Sequence, residues 1–354
     1  MRMVQATMTA EHTYADRAVQ AWLMSVAFLV LCMIVVGGAT RLTDSGLSIT
    51  EWKPILGAIP PLTHADWMEA LEKYRQIPEY HLVNKGMSLD EFKFIYWWEW
   101  GHRFLGRVIG LAFALPLAFF AWRGMLRRGA LPKYLGVLAL GGVQGAIGWY
   151  MVSSGLVDRV DVSHYRLALH LSVAFLILGL LVWLAMDLDA VRSPSCTANL
   201  PANAGTIALL IVLIAYAQVA LGAFVAGLKA GLAYNTWPLM NGQWIPDDLF
   251  AMSPWLVNFV ENATTVQFNH RLVAYIVVAL GVWHCISILR SGARDAIRTS
   301  AILLACGLLA QMTLGIMTLL HAVPIGLGIA HQGFAALLLA IAVRHLWLVR
   351  NVTP

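Results

Sequence analysis

The stretch IYWWEWGHRFLGRVIGLAFALPLAFFAW, residues 95–122, decides the fold. At about 1.5 Å per residue, a helix of this length crosses the ~30 Å hydrocarbon core of a bilayer with residues to spare. A helix is required because hydrocarbon supplies no water to backbone N–H and C=O groups. Its leading end nevertheless carries Glu99, His102, Arg103 and Arg107, and ionisable groups at membrane depth are expensive enough to mark function. Working outward, seven more apolar blocks of similar length lie at 21–40, 133–153, 167–187, 206–228, 268–289, 299–320 and 328–348. With 59% hydrophobic and 12% charged residues over 354 positions and a mean hydropathy of +0.70, the solvent for most of the chain is lipid. The expected fold class is an all-α integral membrane protein of eight transmembrane helices.

If the spans alternate, loops 123–133, 188–205 and 290–298 share one side and carry Arg123, Arg127, Arg128, Lys133, Arg192, Arg290, Arg294 and Arg298. The short opposite loops, 154–166 and 321–328, hold only Arg159 and Arg166. The positive-inside rule then puts both termini, including a tail at 1–20, in the cytoplasm. The net charge of +5 reports this topology, and no basic run with interleaved aromatics suggests nucleic acid. The tail contains Glu11 and Asp16 and no separate apolar core or cleavage site, so a bacterial inner membrane is the expected address. Cys32, Cys285 and Cys306 fall in spans and Cys196 in an inner loop, which suggests no disulfide framework.

The chain also repeats itself. SGLSITEW (45–52) matches AGLAYNTW (230–237) without a gap at an offset of 185, with Gly46/Gly231, Leu47/Leu232 and Trp52/Trp237 in common. HRFLGRVIGL from His102 resembles HRLVAYIVVAL from His270, Gln144 and Gln311 precede small-residue runs, and His170 and His331 open the fourth and eighth spans. Each unit has four spans, so both copies enter the membrane in one orientation, and a pseudo-two-fold axis along the membrane normal is expected. Two four-helix bundles follow: an N-terminal half at 21–190 with a long outer loop at 41–94, and a C-terminal half at 206–348. In the first outer loop, Thr63/Asp66 and Ser88/Glu91 fit helix-opening capping boxes. They predict a surface helix near 65–76 and an early start to the second span near Leu89.

His102, His170, His270 and His331 lie on even-numbered helices within two or three turns of the outer end, and so at one depth. Two per repeat, they can form two sites with an imidazole on either side, a geometry suited to heme iron in a bundle. A single four-histidine zinc site fits the two-and-two division poorly. Arg103 and Arg271 follow their histidines, and Arg41 and Arg166 lie at outer span ends, where a guanidinium can meet a heme propionate or simply snorkel. His12, His64 and His81 read as solvated, His284 and His345 lie toward the inner ends, and His164 and His321 read as packing residues of the outer loops.

Glu99 precedes His102 by three residues, on nearly the same helical face, and the matching residue before His270 is Gln267. A general base, or an anion that stabilises positive charge beside a heme, needs the carboxylate. A structural pairing of Glu99 with Arg103 is the competing reading. The exchange makes the first half the candidate reactive site and the second a holder of a retained heme.

At this point GGATRLTDSGLSITEWKPILGAIPP (37–61), EWGHRFLGR (99–107), YRLALHL (165–171), AGLAYNTWPLMNG (230–242), FNHRLVAY (268–275) and HQGFAA (331–336) together resemble the heme A synthase family, in its proteobacterial and mitochondrial branch. The resemblance implies heme b iron between His270 and His331, substrate heme O iron between His102 and His170, and Glu99 close to the reacting group. It implies oxidation of the C8 methyl of heme O to a formyl group by successive hydroxylations, giving heme A for terminal oxidase assembly. Some relatives carry a cysteine pair in the first outer loop, and this chain has none. Candidate partners are heme O synthase, an electron donor and a second copy of the chain. An electron-passing membrane cytochrome b and a heme carrier or exporter are the alternatives that four intramembrane histidines leave open.

Overall fold

The computed structural model describes residues 2–157, 159–189 and 200–351. Arg192 and Cys196 of the inner loop lie outside the described residues. The eight expected spans are present as α1 (Arg2–Leu42), α4 (Leu89–Trp122), α5 (Leu131–Ser153), α6 (His164–Asp189), α7 (Ala204–Gly227), α9 (Ala263–Leu289), α10 (Asp295–Leu320) and α11 (Ile325–Arg350). By length and composition, eight helices among the described residues can cross a membrane. The tail expected at 1–20 is continuous with the first span, because α1 runs unbroken from Arg2.

The outer loop forms α2 (His64–Tyr74) and α3 (Pro78–Leu82), and both expected capping boxes are made. The Thr63 hydroxyl accepts from the Asp66 N–H at 3.2 Å while the Asp66 carboxylate accepts from the Thr63 N–H at 2.9 Å. The same exchange at Ser88 and Glu91 starts α4 at Leu89, ahead of the apolar block. Beneath α2 and α3, Leu47, Trp67, Leu71, Tyr74, Phe92 and Tyr96 pack into a buried cluster that roofs the outer end of the N-terminal half.

Helices α1, α4, α5 and α6 touch in a closed ring, and so do α7, α9, α10 and α11; α1 meets α11, and α6 meets both α7 and α11, across the junction. Within α4, Leu111, Leu115 and Phe119 are 58%, 66% and 48% exposed, a stripe at four-residue spacing left for lipid, while Phe113, Leu117 and Phe120 are buried. The buried face packs on Trp22 of α1, whose ring lies 4.8 Å from Phe113 and 5.5 Å from Phe120. Pro116 lies inside α4 and has no N–H to offer the carbonyl one turn back. That carbonyl, on Ala112, accepts the Trp22 indole N–H at 2.9 Å, so no backbone acceptor is stranded in the bilayer.

Candidate functional site

The four histidines come together in pairs at the outer ends of the two rings. His102 on α4 faces His170 on α6 with ring centroids 6.5 Å apart, and His270 on α9 faces His331 on α11, also at 6.5 Å. Two metal–imidazole bonds of about 2.0–2.1 Å, plus the two ring radii, come to about this separation. Each ring also lies against a glycine of a neighbouring helix. A Cβ added to Gly37, Gly148, Gly222 or Gly315 would sit 3.1, 3.0, 3.1 or 2.8 Å from His102, His170, His270 or His331 respectively. Larger residues there would displace the rings. The Nδ1 atoms of His170 and His270 are buried without partners. This leaves them free to carry the proton that an Nε2 ligand requires. The residues present therefore fit two hemes held by paired imidazoles.

Another histidine pair shows what does not fit. His284 and His345 lie deeper on α9 and α11, with Nε2 atoms 2.8 Å apart and ring centroids at 5.1 Å. Both are buried, and His345 Nδ1 bonds the Ser300 hydroxyl at 3.1 Å. The pair is in direct hydrogen-bond contact, with no room for iron between the rings.

Glu99 is buried, and its carboxylate is fully engaged. One oxygen accepts from Arg103 Nη2 at 2.6 Å; the other accepts from the Ser48 hydroxyl and the Ile49 N–H, both at 2.7 Å. Arg103 continues outward, donating to the Ile49 carbonyl at 2.8 Å and the Glu51 carbonyl at 3.0 Å. The second half repeats this clamp, with the loop carbonyls at the same offset of 185: Arg271 donates to Gln267 Oε1 at 2.8 Å, to the Tyr234 carbonyl at 2.9 Å and to the Thr236 carbonyl at 3.0 Å. The polarity is reversed at one point. Where Ser48 and Ile49 donate to Glu99, Gln267 Nε2 donates to the Ala230 carbonyl at 2.7 Å and the Tyr234 carbonyl at 3.3 Å.

The arginines expected at propionates are all engaged by protein groups. Arg103 and Arg271 clamp the outer loops, as above. Arg41 pairs with Asp44 at 3.2 Å and Asp161 at 3.1 Å, and Arg166 donates to the Tyr150 carbonyl while its guanidinium lies 3.6 Å from the Tyr150 ring centre. His164, expected to pack, is buried with Nε2 3.5 Å from Glu261, which also accepts from Tyr165. Sequence reasoning passed over Ser48 and the Ile49 N–H as partners of Glu99. The signal was available, since Ser48 falls in the repeated loop segment opposite Ala233, which cannot donate from a side chain. It also noted Gln144 and Gln311 without a role; they donate to the carbonyls of His170 and His331 at 3.0 and 2.9 Å.

The chain is similar to known proteins over nearly its whole length. The profile of the family described as cytochrome oxidase assembly protein matches residues 20–343. The heme A synthase of Parvibaculum lavamentivorans is 53% identical over 328 residues, covering 93% of this chain and 93% of that protein. Those of Agrobacterium fabrum and Azorhizobium caulinodans are each 52% identical, over 93% and 94% of this chain and 89% and 94% of their own lengths. On a match that spans nearly all eight helices, the chain belongs to the cytochrome oxidase assembly protein family.

Proposed function

We propose that the chain is a heme A synthase, oxidising the C8 methyl of heme O to a formyl group. In this reading His102 and His170 grip the iron of the substrate, and His270 and His331 hold a resident heme b. The observation that carries it is the pair of facing imidazole sites with one loop clamp in common, differing in a buried carboxylate, Glu99, against a buried amide, Gln267. An electron-passing cytochrome b would not need that difference. Heme supplies the oxidative chemistry when bound, and the protein orients the substrate and excludes competing reactions.

The geometry favours one of the two roles open to Glu99. With an arginine and two loop donors on its oxygens, it acts as a fixed negative charge three residues from His102, stabilising positive charge that develops on the reacting group, rather than as a base that swings to the substrate. Its partners also make it an anchor that closes loop 45–52 over the site. Contact of Arg41, Arg103, Arg166 and Arg271 with propionates belongs to the same proposal and requires each to exchange a present partner. The pseudo-two-fold relation of the halves is supported by helix contacts that are unchanged when α1, α4, α5 and α6 are exchanged for α7, α9, α10 and α11. We assign the protein to a bacterial inner membrane with both termini cytoplasmic, on the charge of its loops. Heme O synthase, an electron donor and a second copy of the chain are the partners this role calls for.

Glu99→Gln keeps the shape and removes the charge. The purified variant is expected to bind heme O and lose formyl-heme formation by about a hundred- to a thousandfold, the range for removing one electrostatic contributor; formation at the wild-type rate would remove Glu99 from the mechanism. His270→Ala and His331→Ala are each expected to abolish the b-type absorption of the purified protein. Its persistence in both would refute the resident site.

A further inference from the structure

Three amides surround the histidine sites in a pattern that the reaction as described does not use. Gln144 on α5, Gln218 on α7 and Gln311 on α10 each donate to the backbone carbonyl of a site histidine: His170 at 3.0 Å, His270 at 2.7 Å and His331 at 2.9 Å. Each of these carbonyls lies inside a helix, where a backbone N–H four residues on is its usual partner, so the side-chain bond is a second one. Meanwhile the Oε1 atoms of all three glutamines are buried and accept nothing, and His170 Nδ1 and His270 Nδ1 are buried and bond nothing. Buried polar atoms without partners are rare, and here acceptors and ring nitrogens lack partners at the same sites.

Metal ligation resolves the mismatch. An imidazole that offers the Nε2 lone pair to iron carries its proton on Nδ1, and that N–H needs an acceptor. Gln311 Nε2 already stands 3.1 Å from His331 Nδ1, while Gln144 Nε2 stands 3.5 Å from His170 Nε2, so His170 turns its ring over or offers Nδ1 to iron to use the same device. Turning the Gln311 amide over puts its oxygen beside His331 Nδ1; the second bond to the His331 carbonyl, now 2.9 Å away, is given up, and the side chain draws its oxygen off that carbonyl, which keeps its helical N–H.

The fourth histidine lacks this device. At the offset of 185 that relates Gly37 to Gly222, the counterpart of Gln218 is Met33. Met33 packs beside α4, its Cε 3.0 Å from where a Cβ on Gly106 would stand. Among the described residues, no side chain bonds the His102 carbonyl. A thioether is a weak acceptor and donates nothing.

We propose that Gln144, Gln218 and Gln311 are positioning residues that orient and strengthen His170, His270 and His331 as iron ligands, and that Met33 leaves His102 the weak ligand through which the N-terminal site releases its heme. Two locked ligands suit a retained group. One locked and one loose ligand suit a site that must turn over. This inference rests on the reading of the histidine pairs as heme sites.

The test measures heme loss to excess apomyoglobin, together with the reduction potential, on the purified full-length protein supplied with heme O. Relative to wild type, Gln218→Met and, independently, Gln311→Met are expected to speed loss of the C-terminal heme by about 10- to 100-fold, the usual cost of removing such a partner. Gln218→Glu supplies a charged acceptor. It is expected to restore retention and move the heme potential negative, which a purely structural role would not do. Met33→Gln is expected to slow release from the N-terminal half about tenfold or more on the same grounds. Wild-type retention and potential in the Gln218 and Gln311 variants, or wild-type release in Met33→Gln, would overturn the inference. If His270→Ala kept its b-type heme, the ligand assignment itself would fall, a separate failure.

Discussion

Glu79, in the outer loop, is a second buried carboxylate, and its surroundings differ from those of Glu99 on α4. It sits on α3; among the described residues no arginine pairs with it and its carboxylate accepts only the Tyr74 hydroxyl, at 3.2 Å, while Tyr74 in turn accepts from Asn84 at 2.7 Å. Burial pushes its carboxyl up to about 8; the Tyr74 bond opposes this, and the negative charges of Asp44, Glu99 and Asp161 add to it. The folded chain therefore holds this proton over a range in which the unfolded chain, titrating near the ordinary 4.5, has lost it. Stability is highest below pH 4.5 as far as this group is concerned, falls as the pH climbs, and stops falling past about 8. Glu79→Gln keeps the Tyr74 contact and cannot ionise. Its melting temperature in detergent is expected to equal that of wild type at pH 5 and exceed it at pH 8; a pH-independent difference would refute the buried acid. At this scale the histidines were legible because an ionisable group in an apolar block is conspicuous in one dimension. The arginines were less so, because the partners of Arg103 and Arg271 are backbone carbonyls, which every residue has and no sequence displays.

Among the elements, helix starts were the most legible feature, since a hydroxyl followed three residues later by a carboxylate satisfies orphan donors whatever surrounds it. Both capping boxes of the outer loop formed as expected, and Ser88 begins α4 well before its lipid-soluble part. Thr63→Ala or Ser88→Ala is expected to cost about 1 kcal/mol each. Thermal unfolding should show the loss, and proteolysis of the outer loop should be faster, with the b-type spectrum unchanged. Which face of each span meets protein was not legible. In α4 the lipid-facing and inward-facing residues are equally apolar, so Leu115 and Leu117 look alike in sequence and differ only in what covers them.

At the scale of the molecule, the two halves are joined by close helix contact more than by charge. On the α1–α11 seam, Gln332 Nε2 donates to the Ile34 carbonyl at 2.7 Å, and a Cβ on Gly333 would come within 2.9 Å of Val35. Small residues permit this approach where lipid provides no hydrophobic drive for association. The ion pair from Lys229 to Asp161 also spans the halves, at 3.0 Å, but the lysine is 51% exposed. Gly333→Leu is expected to destabilise by about 1–3 kcal/mol through overpacking, while Asp161→Asn should change stability by under about 1 kcal/mol. Melting curves in detergent separate the two; equal effects would mean the seam is electrostatic. The repeated motifs are the sequence's argument for a four-plus-four division, whereas the seam was not legible at all, because glycines at helix contacts look like any others in a span.

The arginine clamp has a consequence for what the outer surface can accommodate. Ile49 and His102 are 53 positions apart, and their counterparts Tyr234 and His270 are 36 apart, although both ends of the clamp superpose in their bonding. Seventeen additional residues, enough for much of α2 and α3, therefore fit between anchor and ligand without altering either. The loop behaves as an insertion port: cargo grafted between residues 59 and 63, past the Lys53 and Pro54 carbonyls that Arg107 holds, hangs outside a fixed frame, whereas a single residue added between Arg103 and His102 or within 48–51 would throw the frame out of register.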